Sequence, residues 1–270
     1  MSYRMIVLDL DGTLTNSQKI ITERTKQKLF EAQDRGVKVV LASGRPTYGV
    51  TALANELKLE QYGGYILSFN GGQIINCKTK EVVFQRTIPG EMIPKLIDLA
   101  KRYHVDFLTY EDGTILTNNQ NCPYAKIEAK INHMPMAEVE NPKENICFPV
   151  PKMLMLGDGD YMATVEPKIQ EATHGLLSVY RSEPFFLEIM PKGIDKAASL
   201  ERLLETTGIK REEMIACGDG FNDLSMIQFA GLGVAMKNAQ NLVKEAANYI
   251  TSSNDEEGVA KVVEKFILNE

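Results

Sequence analysis

The stretch Met5-Ile6-Val7-Leu8-Asp9-Leu10-Asp11-Gly12-Thr13-Leu14 constrains this chain more than any other. Its first four residues form a short apolar run bounded by turn signals, the pattern of a strand buried on both faces of a parallel sheet. The run ends in two carboxylates two residues apart, which the period-two geometry of a strand brings to one side as it opens into a loop. In open α/β sheets the ligand crevice lies beyond the carboxyl ends of the strands, so Asp9 and Asp11 are expected where chemistry is done. Gly12 lets the backbone turn sharply behind them. A second Asp-Gly-Thr, Asp112-Gly113-Thr114, has Tyr110 in place of the first carboxylate and reads as a plain hairpin turn.

The segments that follow alternate in the way a parallel sheet requires. Thr22 caps a helix with Leu29 and Ala32 on its apolar face and Gly36 at its end, and Val37 to Ala42 reads as the next buried strand. It runs into Ser43-Gly44-Arg45, so a hydroxyl and backbone N–H groups emerge at the same sheet end as Asp9. Pro46 and Thr47 start a helix reaching about Leu57, and Tyr65 to Phe69 forms a third strand that stops at Asn70. From about Val82 the pattern changes to hairpins mixed with helices. Helices are expected at 91–103, 124–132 and 161–173, a hairpin at 105–117, a polar loop at 138–151, and strands at 152–156, 177–181 and 185–190. This is an α+β insertion, too long to be a loop of the sheet. The first pattern then resumes with a helix at 194–207 and a strand at 214–217 leading into Gly218-Asp219-Gly220-Phe221-Asn222-Asp223. Leu224, Ile227 and Ala230 share one helical face, 233–236 is a short strand, Asn238 caps a helix through Ala247, 249–251 adds a strand, and a helix at 258–268 follows.

Composition narrows the function classes. With 44% hydrophobic and 24% charged residues among 270, the chain is an ordinary globular one with enough material for two domains. A net charge of −6 argues against a nucleic-acid surface, so any phosphate binding must rest on locally concentrated positive charge. The apolar run after Arg4 is short and broken by Asp9, unlike a signal peptide or a membrane span, and a cytoplasmic location is expected. Cys77, Cys122, Cys147 and Cys217 are scattered without a C-x-x-C pair, which fits reduced thiols. His104, His133 and His174 are equally dispersed, so neither a histidine metal site nor a Ser-His-Asp triad is supported and all three read as surface or packing residues.

Four strand ends thus carry polar clusters: Asp9 with Asp11, Ser43, Asn70, and Asp219 with Asp223. The nearby positive charge at a helix start is Lys196. In these residues the chain resembles the haloacid-dehalogenase-like phosphohydrolases. Asp9-Leu10-Asp11-Gly12-Thr13-Leu14 is similar to the family's first motif, Ser43 to its second, Lys196 to its third, and Asp219 with Asn222 and Asp223 to its fourth, in the same order along the chain. The long insertion between the second and third motifs resembles the cap of the Cof-type sugar-phosphatase branch. One departure is Ala197, where that branch usually has Gly. Gly157-Asp158-Gly159-Asp160 echoes the fourth motif without its Asn-Asp pair and reads as a turn.

The resemblance implies an α/β fold with a Rossmann-like parallel-sheet core domain, residues 1–82 and 190–270, and an inserted α+β cap, residues 83–189, that sets substrate specificity. It implies a Mg²⁺-dependent phosphatase of small phosphomonoesters, sugar phosphates foremost. Asp9 would be the nucleophile and Asp11 the general acid/base. Mg²⁺ would be held by Asp9, the main-chain carbonyl of Asp11 and Asp219, with Asp223 close behind, and the substrate by Ser43, Gly44, Arg45, Asn70, Lys196 and Asn222. A phosphotransferase or phosphomutase on the same scaffold is the alternative, and a non-enzymatic phosphometabolite-binding protein a further one. The expected partner is a small-molecule substrate, with no nucleic acid and no membrane.

Overall fold

The computed structural model describes residues 3–269. Its strands, in chain order, are β1 (Met5–Leu8), β2 (Lys38–Ala42), β3 (Tyr65–Ser68), β4 (Gln73–Asn76) and β5 (Val82–Gln85). They continue as β6 (Asp106–Glu111), β7 (Thr114–Thr117), β8 (Met136–Glu138), β9 (Met153–Leu156), β10 (Leu177–Glu183) and β11 (Phe186–Pro191), and end as β12 (Met214–Gly218), β13 (Leu232–Ala235) and β14 (Tyr249–Ile250). The chain divides into two units. One holds the chain up to Arg45, Val50–Phe84 and the chain from Asp195 onward; the other holds Pro46–Gly49 and Gln85–Ile194.

The first unit is built around β1. Met5, Ile6, Val7 and Leu8 have no exposed surface: parallel strands flank β1, with Val7 level with Ala216 of β12 and Val40 of β2, and their side chains share a core with helical residues such as Leu29, Leu200 and Val262. Each such side chain contributes roughly 1.5–3 kcal/mol by leaving water. The eight-stranded sheet runs β14-β13-β12-β1-β2-β3-β4-β5. From β14 to β3 every pairing is parallel, whereas β4 returns antiparallel to β3 with Ile66 opposite Ile75. Neither β4 nor β5 stands out in the sequence. Gln73–Asn76 and Val82–Gln85 are half exposed, and a tight turn at Phe69–Gly71 leaves no room for the crossover helix that a parallel neighbour needs.

Helices cover this sheet where the periodicity places them. Thr22 caps the Glu23–Asp34 helix by accepting from the Thr25 amide, and Gly36 adopts φ +83° past its end. Asp195 caps the Lys196–Thr207 helix by accepting from the Ala198 amide. Asn238 is not the expected cap: the helix spans Asn241–Ala246 behind Gln240. The Asn238 amide donates instead to the Gly12 carbonyl at 2.8 Å while its oxygen accepts from the Asn254 amide at 3.1 Å.

The second unit is a six-stranded sheet ordered β10-β11-β9-β6-β7-β8, antiparallel except for β7 with β8. Phe107, Met153, Met155, Leu187 and Ile189 alternate onto a core shared with Leu96 of the Met92–Arg102 helix and Val165 of the Gly159–Ala172 helix. β8 lies at the edge of the segment read as loop, followed by a one-turn helix at Pro142–Asn145. Gly157-Asp158-Gly159-Asp160 is not a free turn but a helix start, with the Asp158 carboxylate accepting from the Asp160 and Tyr161 amides. Several charged groups in this unit are buried: Lys152 lies 3.5 Å from Glu188, whose other oxygen accepts from the Tyr180 hydroxyl at 3.1 Å, and the Tyr110 hydroxyl donates to Glu128 at 2.7 Å.

His104, His133 and His174 each adopt a left-handed conformation just past a helix. The four cysteines are free thiols. No helix among the described residues is long and apolar enough to cross a membrane.

Candidate active site

The carboxyl ends of β1, β2, β3 and β12 lie in the same unit, and the loops leaving them form one hydrogen-bonded network. Its centre is Lys196, the first residue of its helix and fully buried. The ammonium donates to Asp9 Oδ1 at 2.7 Å, to Asp223 Oδ1 at 2.6 Å and to the Ala42 carbonyl at 2.8 Å, so all three of its protons are used. Burial alone would pull its pKa down. The charges of Asp223 and Asp9 and the hydrogen bonds to both outweigh that and raise it above the ordinary lysine value.

The carboxylates are crowded. One oxygen each from Asp9, Asp219 and Asp223 lie within 4.8 Å of one another. Burial first, and then the charge of Asp223, push Asp9 up to about 8 in spite of Lys196 beside it. Asp219 is raised to about 6, again chiefly by burial, although the Thr13 hydroxyl donates to it at 2.8 Å. Asp223 Oδ2 accepts from the Asp219 and Gly220 amides, both at 2.9 Å, which closes the loop after β12 around its own fifth residue. Gly12 is required here: it adopts φ +83°, and a Cβ on it would overlap the Asp219 carboxylate.

Asp11 is absent from the three-carboxylate group. Its side chain turns to Arg45, whose Nε donates to Oδ2 at 2.9 Å and Nη2 to Oδ1 at 2.7 Å, and Lys19 Nζ reaches the same Oδ1 at 2.7 Å. Burial would push the carboxyl up, but these two cations hold it below the ordinary aspartate value. Arg45 is fixed in turn, its amide donating to Ser43 Oγ at 3.1 Å. Asn70 adopts a left-handed conformation, its amide donates to the Ser43 carbonyl at 2.9 Å and its side-chain oxygen accepts from Asn222 at 3.2 Å. Gly44 packs against that side chain, where a Cβ would sit 3.1 Å from Asn70 Oδ1.

All ten residues singled out in the sequence, Asp9, Asp11, Ser43, Gly44, Arg45, Asn70, Lys196, Asp219, Asn222 and Asp223, therefore fall in this network. Three contributors escaped the sequence reading. Thr13 lies inside the first motif and its hydroxyl could have been suspected. Asn238 carried a cap signal that pointed elsewhere. Lys19 carried none, because its approach to Asp11 depends on the turn between them. As a chemical device the site offers a buried carboxylate beside an ammonium, a hard-oxygen donor set suited to a divalent cation, and a second carboxylate at the rim under cationic control.

The family model described as haloacid dehalogenase-like hydrolase matches residues 6–263. The chain is 31% identical to the 5-amino-6-(5-phospho-D-ribitylamino)uracil phosphatase YcsE of Bacillus subtilis, covering 98% of this chain and 96% of that protein. Among solved structures, a haloacid dehalogenase-like hydrolase from Bacteroides thetaiotaomicron is 51% identical with a TM-score of 0.95, covering 98% of this chain and 99% of that one. BT4131, described as a HAD subclass IIB sugar phosphatase, is 26% identical with a TM-score of 0.77 over 97% of this chain and 98% of that one.

Proposed function

The chain belongs to the haloacid dehalogenase-like hydrolases, and on that premise we propose that it is a Mg²⁺-dependent phosphatase of small phosphomonoesters, sugar phosphates foremost. The observation that carries this reading is Lys196, an ammonium buried between Asp9 and Asp223 at 2.7 and 2.6 Å. Burying three charges together costs more than it returns in stability, so a working role is the better account of it.

The donor set fits the metal. Three carboxylate oxygens within 4.8 Å, two of them on groups driven upward in pKa by burial and then by the charge of Asp223, suit a hard divalent cation. Asp9, Asp219, Asp223 and the main-chain carbonyl of Asp11 would hold it. Bound there, Mg²⁺ would supply positive charge to the phosphoryl oxygens and keep Asp9 ionised.

The protein's own groups do the rest. Asp9 attacks phosphorus as the bond to the alcohol oxygen breaks, which gives an aspartyl-phosphate, and Asp11, which must first take up a proton against the pull of Arg45 and Lys19, passes it to the departing alkoxide. Asp11 then takes a proton from the water that attacks the same phosphorus. The Asp9–phosphorus bond breaks and inorganic phosphate leaves. Lys196 through its charge, and the Ser43 hydroxyl and the Gly44 N–H through hydrogen bonds, would stabilise the phosphoryl oxygens through the transition state, and Arg45, Asn70 and Asn222 would bind the substrate beside them. Selectivity among leaving groups is assigned to the second unit, the inserted α+β domain.

The test is a turnover screen of the purified protein on sugar, nucleotide and cofactor phosphates, with Mg²⁺ and after chelation. Phosphate release that disappears with the metal is expected. Phosphoryl transfer to added acceptors without release would favour the phosphotransferase, and absence of any phosphoester turnover would end the reading.

A further inference from the structure

Three loops of the first unit meet beside the first motif, and one side chain ties them together. Asn238, in the loop after β13, donates from Nδ2 to the Gly12 carbonyl at 2.8 Å, and its Oδ1 accepts from the Asn254 amide at 3.1 Å. Asn254, past β14, returns to the first loop, its Nδ2 donating to the Thr15 carbonyl at 2.9 Å. Reversing the Asn238 amide would set carbonyl against carbonyl and N–H against N–H, so this position needs a donor and an acceptor on one short planar head. The segment around Asn238 also holds the loop after β12. The Met236 amide donates to the Gly218 carbonyl at 3.1 Å and the Gln240 amide to the Asp219 carbonyl at 3.0 Å.

The Asn238 bond falls where the chain has the least preference of its own. Gly12, at φ +83°, carries no side chain to favour one orientation of its carbonyl over another. Because the peptide is planar, the hydrogen bond that fixes this carbonyl also fixes the Thr13 N–H on the far side of the same plane. The Thr13 hydroxyl then donates to Asp219 Oδ1 at 2.8 Å, and Gly12 itself lies against the Asp219 carboxylate. The peptide on the other side of Gly12 carries the Asp11 carbonyl. Resting on the reading above, that carbonyl and Asp219 are two of the donors to Mg²⁺, and the Gly12 bond orients both. Mg²⁺ demands a near-ideal octahedron, whereas Ca²⁺ accepts about six to eight ligands in flexible geometry. Loosening the loop therefore costs Mg²⁺ more than Ca²⁺.

We infer that Asn238 is a positioning residue for the metal centre and that, acting through the Gly12 carbonyl, it sets the preference for Mg²⁺ over Ca²⁺. The test is calorimetric titration of the intact protein with each cation, without substrate. Asn238→Ala removes both arms of the side chain. Asn238→Asp keeps the acceptor for the Asn254 amide and loses the donor to Gly12, and the charge it adds attracts both divalent cations alike and so cancels in the ratio of their affinities. Both variants should lower the Mg²⁺-over-Ca²⁺ ratio about three- to tenfold, the worth of one hydrogen bond. Both should melt within a few degrees of wild type, since Asn238 is exposed. A wild-type ratio in Asn238→Ala overturns the inference. A ratio changed in Asn238→Ala but not in Asn238→Asp assigns the effect to the Asn254 arm and overturns it as well. Either result leaves the phosphatase reading standing if the wild-type protein binds Mg²⁺ and turns over phosphoesters, whereas a wild-type protein that binds no Mg²⁺ overturns both.

Discussion

At the scale of single residues, the site is organised by unequal treatment of four carboxylates. Asp9, Asp219 and Asp223 crowd one another around Lys196, while Asp11 is drawn aside by Arg45 and Lys19. Asp9→Asn should abolish turnover, because the amide keeps the shape and removes the nucleophile. It should also leave the thermal melt within a few degrees, since the lost bond to Lys196 is offset by relief from Asp223 and Lys196 keeps Asp223 and the Ala42 carbonyl. Activity above a tenth of wild type would remove Asp9 from its role. Gly12→Ala tests the backbone in the same way. The left-handed conformation alone costs an alanine about 1–2 kcal/mol, and its Cβ must displace Asp219 from its contact with Thr13. Urea unfolding should show that loss and the Mg²⁺-dependent rate should fall at least tenfold; an active Gly12→Ala protein of wild-type stability would mean that the Gly12–Asp219 approach is dispensable.

At the scale of elements, local signals were readable in proportion to how much of their cause is local. The β1, β2 and β12 runs are apolar because they lie inside the sheet and share a core with helical side chains such as Leu29, Leu200 and Val262, and Thr22 and Asp195 sit at helix starts as caps should. Short strands at or next to a sheet's edge, β4, β5 and β8, are half exposed and lack the pattern. Asp158 shows how a motif can mislead: its Gly-Asp-Gly-Asp setting echoes the fourth motif, yet the carboxylate caps the Gly159–Ala172 helix. Asp158→Ala should therefore cost about 1 kcal/mol of stability, as the loss of a cap does, without changing kcat per folded molecule. A drop in kcat with stability unchanged would assign that carboxylate to the chemistry instead.

At the scale of the molecule, the carboxylate cluster couples stability to pH and to metal. Asp9 and Asp219 have pKa values raised in the fold, to about 8 and about 6. A carboxyl raised in this way contributes stability that is complete below its unfolded value, near 3.8, and is lost as the pH climbs through the folded one. Asp11, lowered, contributes in the opposite sense: its share is present above the unfolded value and lost as the pH falls through the folded one. Between pH 5 and 8 the first effect governs, so the metal-free protein should lose stability with rising pH on account of this cluster. Mg²⁺ should restore it, because it binds the ionised form. Melting curves at pH 5, 6, 7 and 8, with Mg²⁺ and with chelator, should show a metal-induced rise in Tm that grows with pH. A rise that is constant across the range would mean that the ion does not compete with protons at Asp9 and Asp219.

Taken alone, the order of residues determined which side chains emerge at strand ends. Alternation, caps and glycines act within a few residues, so Asp9, Ser43, Asn70 and Asp219 could each be placed at the end of a strand without knowing its neighbours. Which of them meet was decided by tertiary structure. The neighbour order β12-β1-β2 sets Asp9 beside Asp219 and Asp223, and the helix after Asp195 drives Lys196 in between them, contacts that span 187 residues from Asp9 to Lys196. The turning of Asp11 toward Arg45 and Lys19, and the capture of Gly12 by Asn238 across 226 residues, likewise depend on loops whose shapes are fixed by anchors elsewhere in the chain. Local preference carries no information about such pairs, because their energy comes from burial and charge shared between segments that are distant until the sheet has formed.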